Sequence, residues 1–161
     1  LGYTCYHIPE VLLNCGNCFS VRLRAPRTGS MDIATYYMSN FLCGYSKAIL
    51  ERAIEGGYNF LNALLASETC SEMNRTAEHF ELLNLVPEDK FFLTFLDMPF
   101  KIEEHTVRHY VKQTRVKILD KLNEIYGVDT SDEALRKSVE EHNEVCRLMT
   151  EIGEYRKEEN P

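Results

Sequence analysis

No stretch of this chain approaches the ~20 consecutive apolar residues that a membrane-spanning helix requires, so no membrane partner is expected. Positive charge is not in excess either: 18 Lys and Arg stand against 25 Asp and Glu, a formal net charge of −7. Without a basic stripe, a nucleic-acid partner is not expected. There is no G-x-G-x-x-G after a strand-like run and no Walker-type lysine loop, so neither a dinucleotide nor ATP is expected in this segment. The first residues, Leu1-Gly2-Tyr3-Thr4, carry no basic region of the kind a secretory signal opens with. The expected location is therefore cytoplasmic, a reducing compartment. The chain also lacks an initiating Met, and it reads as an excerpt of a longer protein, with Glu158-Glu159-Asn160-Pro161 as a cut in a linker.

What is present is enough for a core. The chain has 161 residues, 44% of them hydrophobic, which suits a domain that needs no disulfide staples. Residues 1–4 read as a strand and residues 9–13 as a first helical turn or two, opened by Pro9 and ended by Gly16. Residues 19–23 alternate as a strand does, and residues 25–30 form a loop. Helix is expected over residues 32–38, then again to about residue 55 under a cap from Ser39 or Asn40. Gly56-Gly57 stops that helix. Residues 60–66 are a compact apolar run of strand length, residues 71–83 are helical in composition, and residues 91–96 are a further buried-type strand closed by Met98-Pro99.

This alternation predicts an α/β fold: a parallel, doubly wound, Rossmann-like sheet of about four strands with flanking helices. Residues 1–100 form that unit. Residues 101–161 differ. Val107, Tyr110, Val111, Thr114, Ile118, Leu122 and Ile125 recur at helical spacing up to Gly127. Thr130 and Glu133 have the spacing of a capping box, and Leu135, Val139, His142, Cys146, Met149 and Ile152 form the next stripe. The expectation is a C-terminal antiparallel helix pair, packing on the sheet unit or linking from it.

The chain has six cysteines. In a reducing compartment a cluster of them points to metal or redox work more than to disulfides. Cys5 follows the first strand, Cys70 follows the third, and Cys43 sits near a helix start. Ligands of a parallel sheet gather at the carboxyl ends of its strands. Helix N-termini offer N–H groups and partial positive charge to an anionic ligand, and soft thiolates select iron–sulfur clusters, zinc or Cu(I). The competing reading is packing, because free Cys is among the most buried residue types. Cys15-Gly16-Asn17-Cys18 is a C-x-x-C, yet it sits at a helix end before a strand and has no second pair, so it reads as a chance pair. Cys146 lies on an apolar stripe and reads as core. His105 and His109, spaced i, i+4, read as solvated; His7, His79 and His142 are lone.

With these residues in view, the sequence resembles the 2-hydroxyacyl-CoA dehydratase D-component family, which includes benzoyl-CoA reductase subunits and double-cubane cluster proteins. Gly2-Tyr3-Thr4-Cys5-Tyr6-His7-Ile8-Pro9-Glu10 is similar to the family's G-Y-x-C-x-Y-x-P-E-E opening. Val21-Arg22-Leu23-Arg24 and Tyr37-Met38-Ser39-Asn40-Phe41-Leu42-Cys43 follow in family order. Ser67-Glu68-Thr69-Cys70-Ser71-Glu72-Met73-Asn74-Arg75 resembles its T-C-D-x-x-R motif, and Phe95-Leu96-Asp97-Met98-Pro99 its x-x-D-x-P strand end. Asp132-Glu133-Ala134-Leu135-Arg136 and Glu141-His142-Asn143 extend the likeness into the tail. The chain departs from the pattern at Gly44 and Ser71, and at Cys15 and Cys18, where the family has apolar residues.

The resemblance implies an oxygen-sensitive 4Fe–4S cluster, with Cys43 and Cys70 as the first ligand candidates and Cys5 as a third. It also implies an acyl-CoA substrate, a homologous second subunit and an ATP-dependent activator protein that delivers a low-potential electron for radical dehydration or reduction. Glu10 is the candidate for acid–base work in the substrate cleft. The alternatives are a non-catalytic iron–sulfur electron-transfer module and a structural α/β domain without metal.

Overall fold

The structure is a computed structural model, and it describes residues 1–26 and 28–157. Arg27, within the expected loop, and the terminal run from Glu158 lie outside the described residues.

The expected α/β architecture is present. Four parallel strands, β1 (Gly2–Tyr3), β2 (Val21–Arg22), β3 (Ala63–Ser67) and β4 (Phe92–Leu96), form one sheet in the order β2-β1-β3-β4. β3 is buried along its whole length, because Ala63-Leu64-Leu65-Ala66 is apolar on both faces, as a central parallel strand must be. Its two faces feed two cores. Leu64, Ala66 and Leu93 pack with Ile49 and Ala53 of α3 (Gly44–Ile54) and with Met73, Ala77 and Phe80 of α4 (Ser71–Leu82). On the other face, Ala63, Leu65, Phe92 and Leu96 meet Tyr3 and Leu13 of α1 (Glu10–Leu13), together with Ile118 and Leu122. Helices on both faces make the sheet doubly wound, and the chain reverses direction across the sheet between β1 and β3.

Two caps differ from the sequence expectation. The helix through residue 54 does not start at Ser39 or Asn40. Ser39 closes a separate turn, in which Leu42 N donates to Ser39 O at 3.0 Å, and the helix begins at Gly44 with Cys43 as its N-cap. That turn follows the one-turn helix α2 (Ala34–Tyr37). Further on, Ser131 rather than Thr130 caps α7 (Asp132–Glu154); its Oγ accepts from Ala134 N at 3.3 Å. The register moves by one because Asp129 Oδ1 takes the Ser131 N–H at 2.9 Å and fixes the turn before the helix. Those hydrogen bonds to Ser131 also hold the Asp129 carboxyl below its ordinary range.

The first C-terminal helix runs as α5 (Glu104–Thr114), a π-helical turn (Arg115–Leu119) and α6 (Asp120–Tyr126). The π turn brings Ile118 and Leu119 into burial and lets Lys117 Nζ reach Phe95 O at 2.6 Å, anchoring the helix on β4. Gly127, at φ +67°, supplies the left-handed residue that ends α6. The last helix does not pack lengthwise on α6. α7 rests on α1, where Ser138 Oγ donates to Val11 O, and from Val139 onward much of its apolar stripe is exposed. Among the described residues no helix is long and apolar enough to cross a membrane.

Candidate functional site at the carboxyl edge of the sheet

An open parallel sheet binds ligands where its winding reverses, outside the carboxyl ends of the strands. Here that point is the gap between β1 and β3. Cys5 lies two residues past β1, and Thr69-Cys70 lies just past β3. Backbone pairing brings them together: Thr4 N donates to Leu65 O at 3.1 Å, and Cys5 Sγ lies 3.8 Å from Thr69 Oγ1. Thr69 Oγ1 is 2.8 Å from Ser67 Oγ. Burial pushes the Cys5 thiol up. Hydrogen bonds from the His7 backbone, the Ser67 and Thr69 hydroxyls and the Tyr6 backbone outweigh it, and the net direction is down. The thiol is thus biased toward the thiolate that binds soft metals.

Cys70 is the N-cap of α4 and Cys43 the N-cap of α3, and both are exposed. Each helix returns antiparallel to the strands, so both N-termini sit at the carboxyl edge with Cys5. Among the described residues two buried side-chain atoms have no hydrogen-bond partner: Thr4 Oγ1, next in sequence to Cys5, and Asn74 Oδ1, one turn into α4 from Cys70. Buried polar atoms are ordinarily paired, and these two lie next to Cys5 in sequence and one turn past Cys70.

The surrounding loops are held by groups that carry no motif. Tyr110 of α5 donates its hydroxyl to His7 O at 3.2 Å. Gln113, 6% exposed, takes the Asp97 N–H at 2.9 Å and donates to Asp97 O at 2.5 Å, clamping the end of β4. His109 faces Asp97 at 3.6 Å and His105 faces Glu103 at 3.5 Å, so the two histidines have separate partners. Glu10 begins α1 and is exposed. It accepts from Ser20 Oγ at 3.4 Å and from the Tyr3 hydroxyl; with burial acting first, that contact helps push the Tyr3 phenol to about 12.

The donor chemistry fits an iron–sulfur group: three cysteines on one edge, one with its thiol lowered. The convergence is incomplete. Among the described residues, no three His, Cys, Asp or Glu side chains are gathered closely enough to hold a metal ion. The C-x-x-C lies elsewhere, at the amino edge of the sheet. Cys15 is fully buried and donates to Asp129 O at 3.2 Å, and burial followed by the Asp129 charge raises its thiol. Cys146 is exposed on α7, 3.6 Å from His142 Nε2, rather than in the core.

Ser67, Thr69, Thr4 and Asn74 also lie at this edge, next to Cys5 or Cys70, and no motif singles them out. For Thr4, Ser67 and Thr69 the available signal is position, hydroxyl residues at the carboxyl end of a strand; Asn74, an amide within α4, carries no such signal.

Comparison with known proteins bears on this edge. The model of the family described as 2-hydroxyglutaryl-CoA dehydratase, D-component, matches residues 5–161. A curated relative, the (R)-phenyllactyl-CoA dehydratase beta subunit of Clostridium sporogenes, is 23% identical over 153 residues, covering 95% of this chain. The chain spans 40% of that relative's length.

Proposed function

The chain belongs to the 2-hydroxyglutaryl-CoA dehydratase D-component family, and we propose that it is the cysteine-bearing part of a dehydratase-type subunit that holds a 4Fe–4S cluster at the β1/β3 edge. The observation that supports the reading is that Cys5, Cys43 and Cys70 all fall on the carboxyl edge of the sheet, Cys5 beside Thr69 and the other two as the N-caps of α3 and α4. In this reading Cys43 and Cys70 present thiolates from two helix N-termini, and Cys5 offers a third. The Ser67 and Thr69 hydroxyls, with the His7 and Tyr6 backbone, bias Cys5 toward the thiolate against its burial. Among the described residues the thiols do not gather into a metal-binding group, and in this reading a further donor completes the ligand set. When bound, such a cluster supplies low-potential one-electron chemistry for radical dehydration of a 2-hydroxyacyl-CoA.

The partners that go with this function are an acyl-CoA, a homologous second subunit and an ATP-dependent activator that delivers the electron. The relative's name points to an aromatic 2-hydroxyacyl-CoA as one substrate to try. Glu10, exposed and five residues past Cys5, is the acid–base candidate in this reading.

The test is anaerobic reconstitution with iron and sulfide, followed by iron content and visible absorption, on wild type, Cys43→Ala and Cys70→Ala. Broad visible absorption that both substitutions abolish supports ligation by these two thiolates. A cluster that forms only in a longer chain places the missing donor beyond this segment. No cluster in either length leaves a structural α/β domain. Turnover of a 2-hydroxyacyl-CoA by the metallated subunit with its activator separates a dehydratase from an electron-transfer module.

A further inference from the structure

Two charged residues of α3 are buried. Lys47 is 7% exposed and Glu51 is 3% exposed. Burial of a charge is costly unless the group is paired or hydrogen-bonded, yet among the described residues neither forms an ion pair. Both are turned to backbone instead. Lys47 Nζ donates to Asn40 O at 3.1 Å, and Glu51 Oε2 accepts from Ala34 N at 2.6 Å. Their i, i+4 spacing sets them on one face of the helix. The segment that leads to Cys43, from the one-turn helix α2 onward, is therefore tethered to α3 at Ala34 and at Asn40.

A third buried group joins α3 to the helix of Cys70. Thr76 of α4 is fully buried, and its Oγ1 lies 3.0 Å from Ser46 O and 3.4 Å from Met38 Sδ. Ser46 Oγ in turn donates to Cys43 O at 2.8 Å. Apolar side chains of equal volume could fill this space, but they would leave Ala34 N and Asn40 O without these partners. They could not grip separate backbone atoms of a segment whose one regular element is the single turn of α2.

We propose that Lys47, Glu51 and Thr76 are positioning residues that fix Cys43 relative to Cys70. The proposal rests on the reading of these cysteines as ligands. It accounts for charged residues retained in a core, and it gives the two helix N-termini a common reference across the α3–α4 contact.

The experiment compares Lys47→Met, Glu51→Ala, Glu51→Gln and Thr76→Val in the full-length subunit. Three quantities are measured: amide hydrogen exchange over residues 34–43, alkylation of Cys43 relative to Cys146 in the same molecule, and iron bound after anaerobic reconstitution. Lys47→Met and Glu51→Ala should each speed exchange over residues 34–43 on the order of tenfold, the factor expected for loss of one charge-assisted hydrogen bond. Exchange in β3 and β4 should be unchanged. Cys43 alkylation should change in the same variants, and bound iron should fall by half or more. Glu51→Gln, which keeps the acceptor, should behave as wild type. Thr76→Val removes one hydroxyl at constant shape; it should lower bound iron and keeps the test open if Lys47→Met fails to fold.

Unchanged exchange and alkylation in Lys47→Met or Glu51→Ala overturns the proposal. Faster exchange with full iron binding also overturns it, because the contacts would then be merely structural. If wild type binds no iron, the cluster reading fails separately, and an unaltered ratio of Cys43 to Cys146 alkylation across the variants still overturns the clamp.

Discussion

Alkylation of the native thiols provides a direct measure of which cysteines the fold leaves free to act. Cys43, Cys70 and Cys146 are exposed, so iodoacetamide should reach them without global opening of the fold. Cys15 is fully buried, donates to Asp129 O at 3.2 Å and has its thiol raised by burial and then by the Asp129 charge. It can react only after the turn around Asp129 and the packing of α1 open. If that opening needs global unfolding, a stability of even ~5 kcal/mol slows the reaction about 5,000-fold relative to the unfolded chain. Partial opening would reduce the factor, and about 10³ is a working lower expectation. The raised thiol acts in the same direction, because it keeps Cys15 protonated at mildly alkaline pH. The assay is anaerobic alkylation at pH ~8, quenched over time and read by peptide mass mapping. The ratio of Cys15 to Cys146 is compared in native and denatured protein. Reaction of Cys15 within tenfold of Cys146, in a chain with native circular dichroism, would refute its burial and reopen the C-x-x-C as a redox or metal pair.

Further outcomes follow from packing and capping. Leu65, fully buried on the central strand, should cost about 2–5 kcal/mol when changed to Ala, through lost transfer energy and a cavity; a urea midpoint unchanged within error would contradict its core placement. Ser131→Ala should cost about 0.5–2 kcal/mol and speed exchange in the first turn of α7, since it removes the cap bond to Ala134 N; an unaltered first turn would mean that Thr130 is the cap after all. The Tyr3 and Tyr58 phenols are pushed up to about 12, with burial the first cause in each. Their raised values contribute stability below pH ~10 that is lost as pH rises toward 12. Absorbance titration should therefore show these phenols ionising late and together with alkaline unfolding, and early reversible ionisation of all the tyrosines would oppose it.

The sheet was legible because its signals are local. The runs at residues 60–66 and 91–96 are apolar on both faces, and Gly56-Gly57 and Pro99 punctuate them. The start of β3 was placed early because Phe60, although apolar, is 61% exposed in the turn before the strand. The carboxyl-edge cysteines were legible for a similar reason: each of Cys5 and Cys70 directly follows a strand. The register of Cys43 was not legible, since Ser39 resembles a helix cap and instead closes a turn. Lys47 and Glu51 were invisible, because charged residues four apart look like a solvated helix face. It is the segment at residues 34–43 that meets both side chains, through Ala34 N and Asn40 O. The stripe on α7 teaches the complementary point. Its periodicity shows that an apolar face exists, but not where its partner lies, and Met149 and Ile152 remain exposed.

The strand pairing also sets an order of events during synthesis. β1 is made first, but its register with β3 joins Gly2 to Leu64 and Tyr3 to Leu65, a separation of 62 residues. Contacts this distant form late, after loop-closure entropy has been overcome. At ~5–20 residues per second, β3 is synthesised about 3–12 s after β1. Until then the β1/β3 crevice does not exist, and neither Ser67 nor Thr69 is available to Cys5. The first thiol of the edge thus leaves the ribosome well before its pocket is built, and during those seconds it reacts as an ordinary cysteine of an unfolded chain.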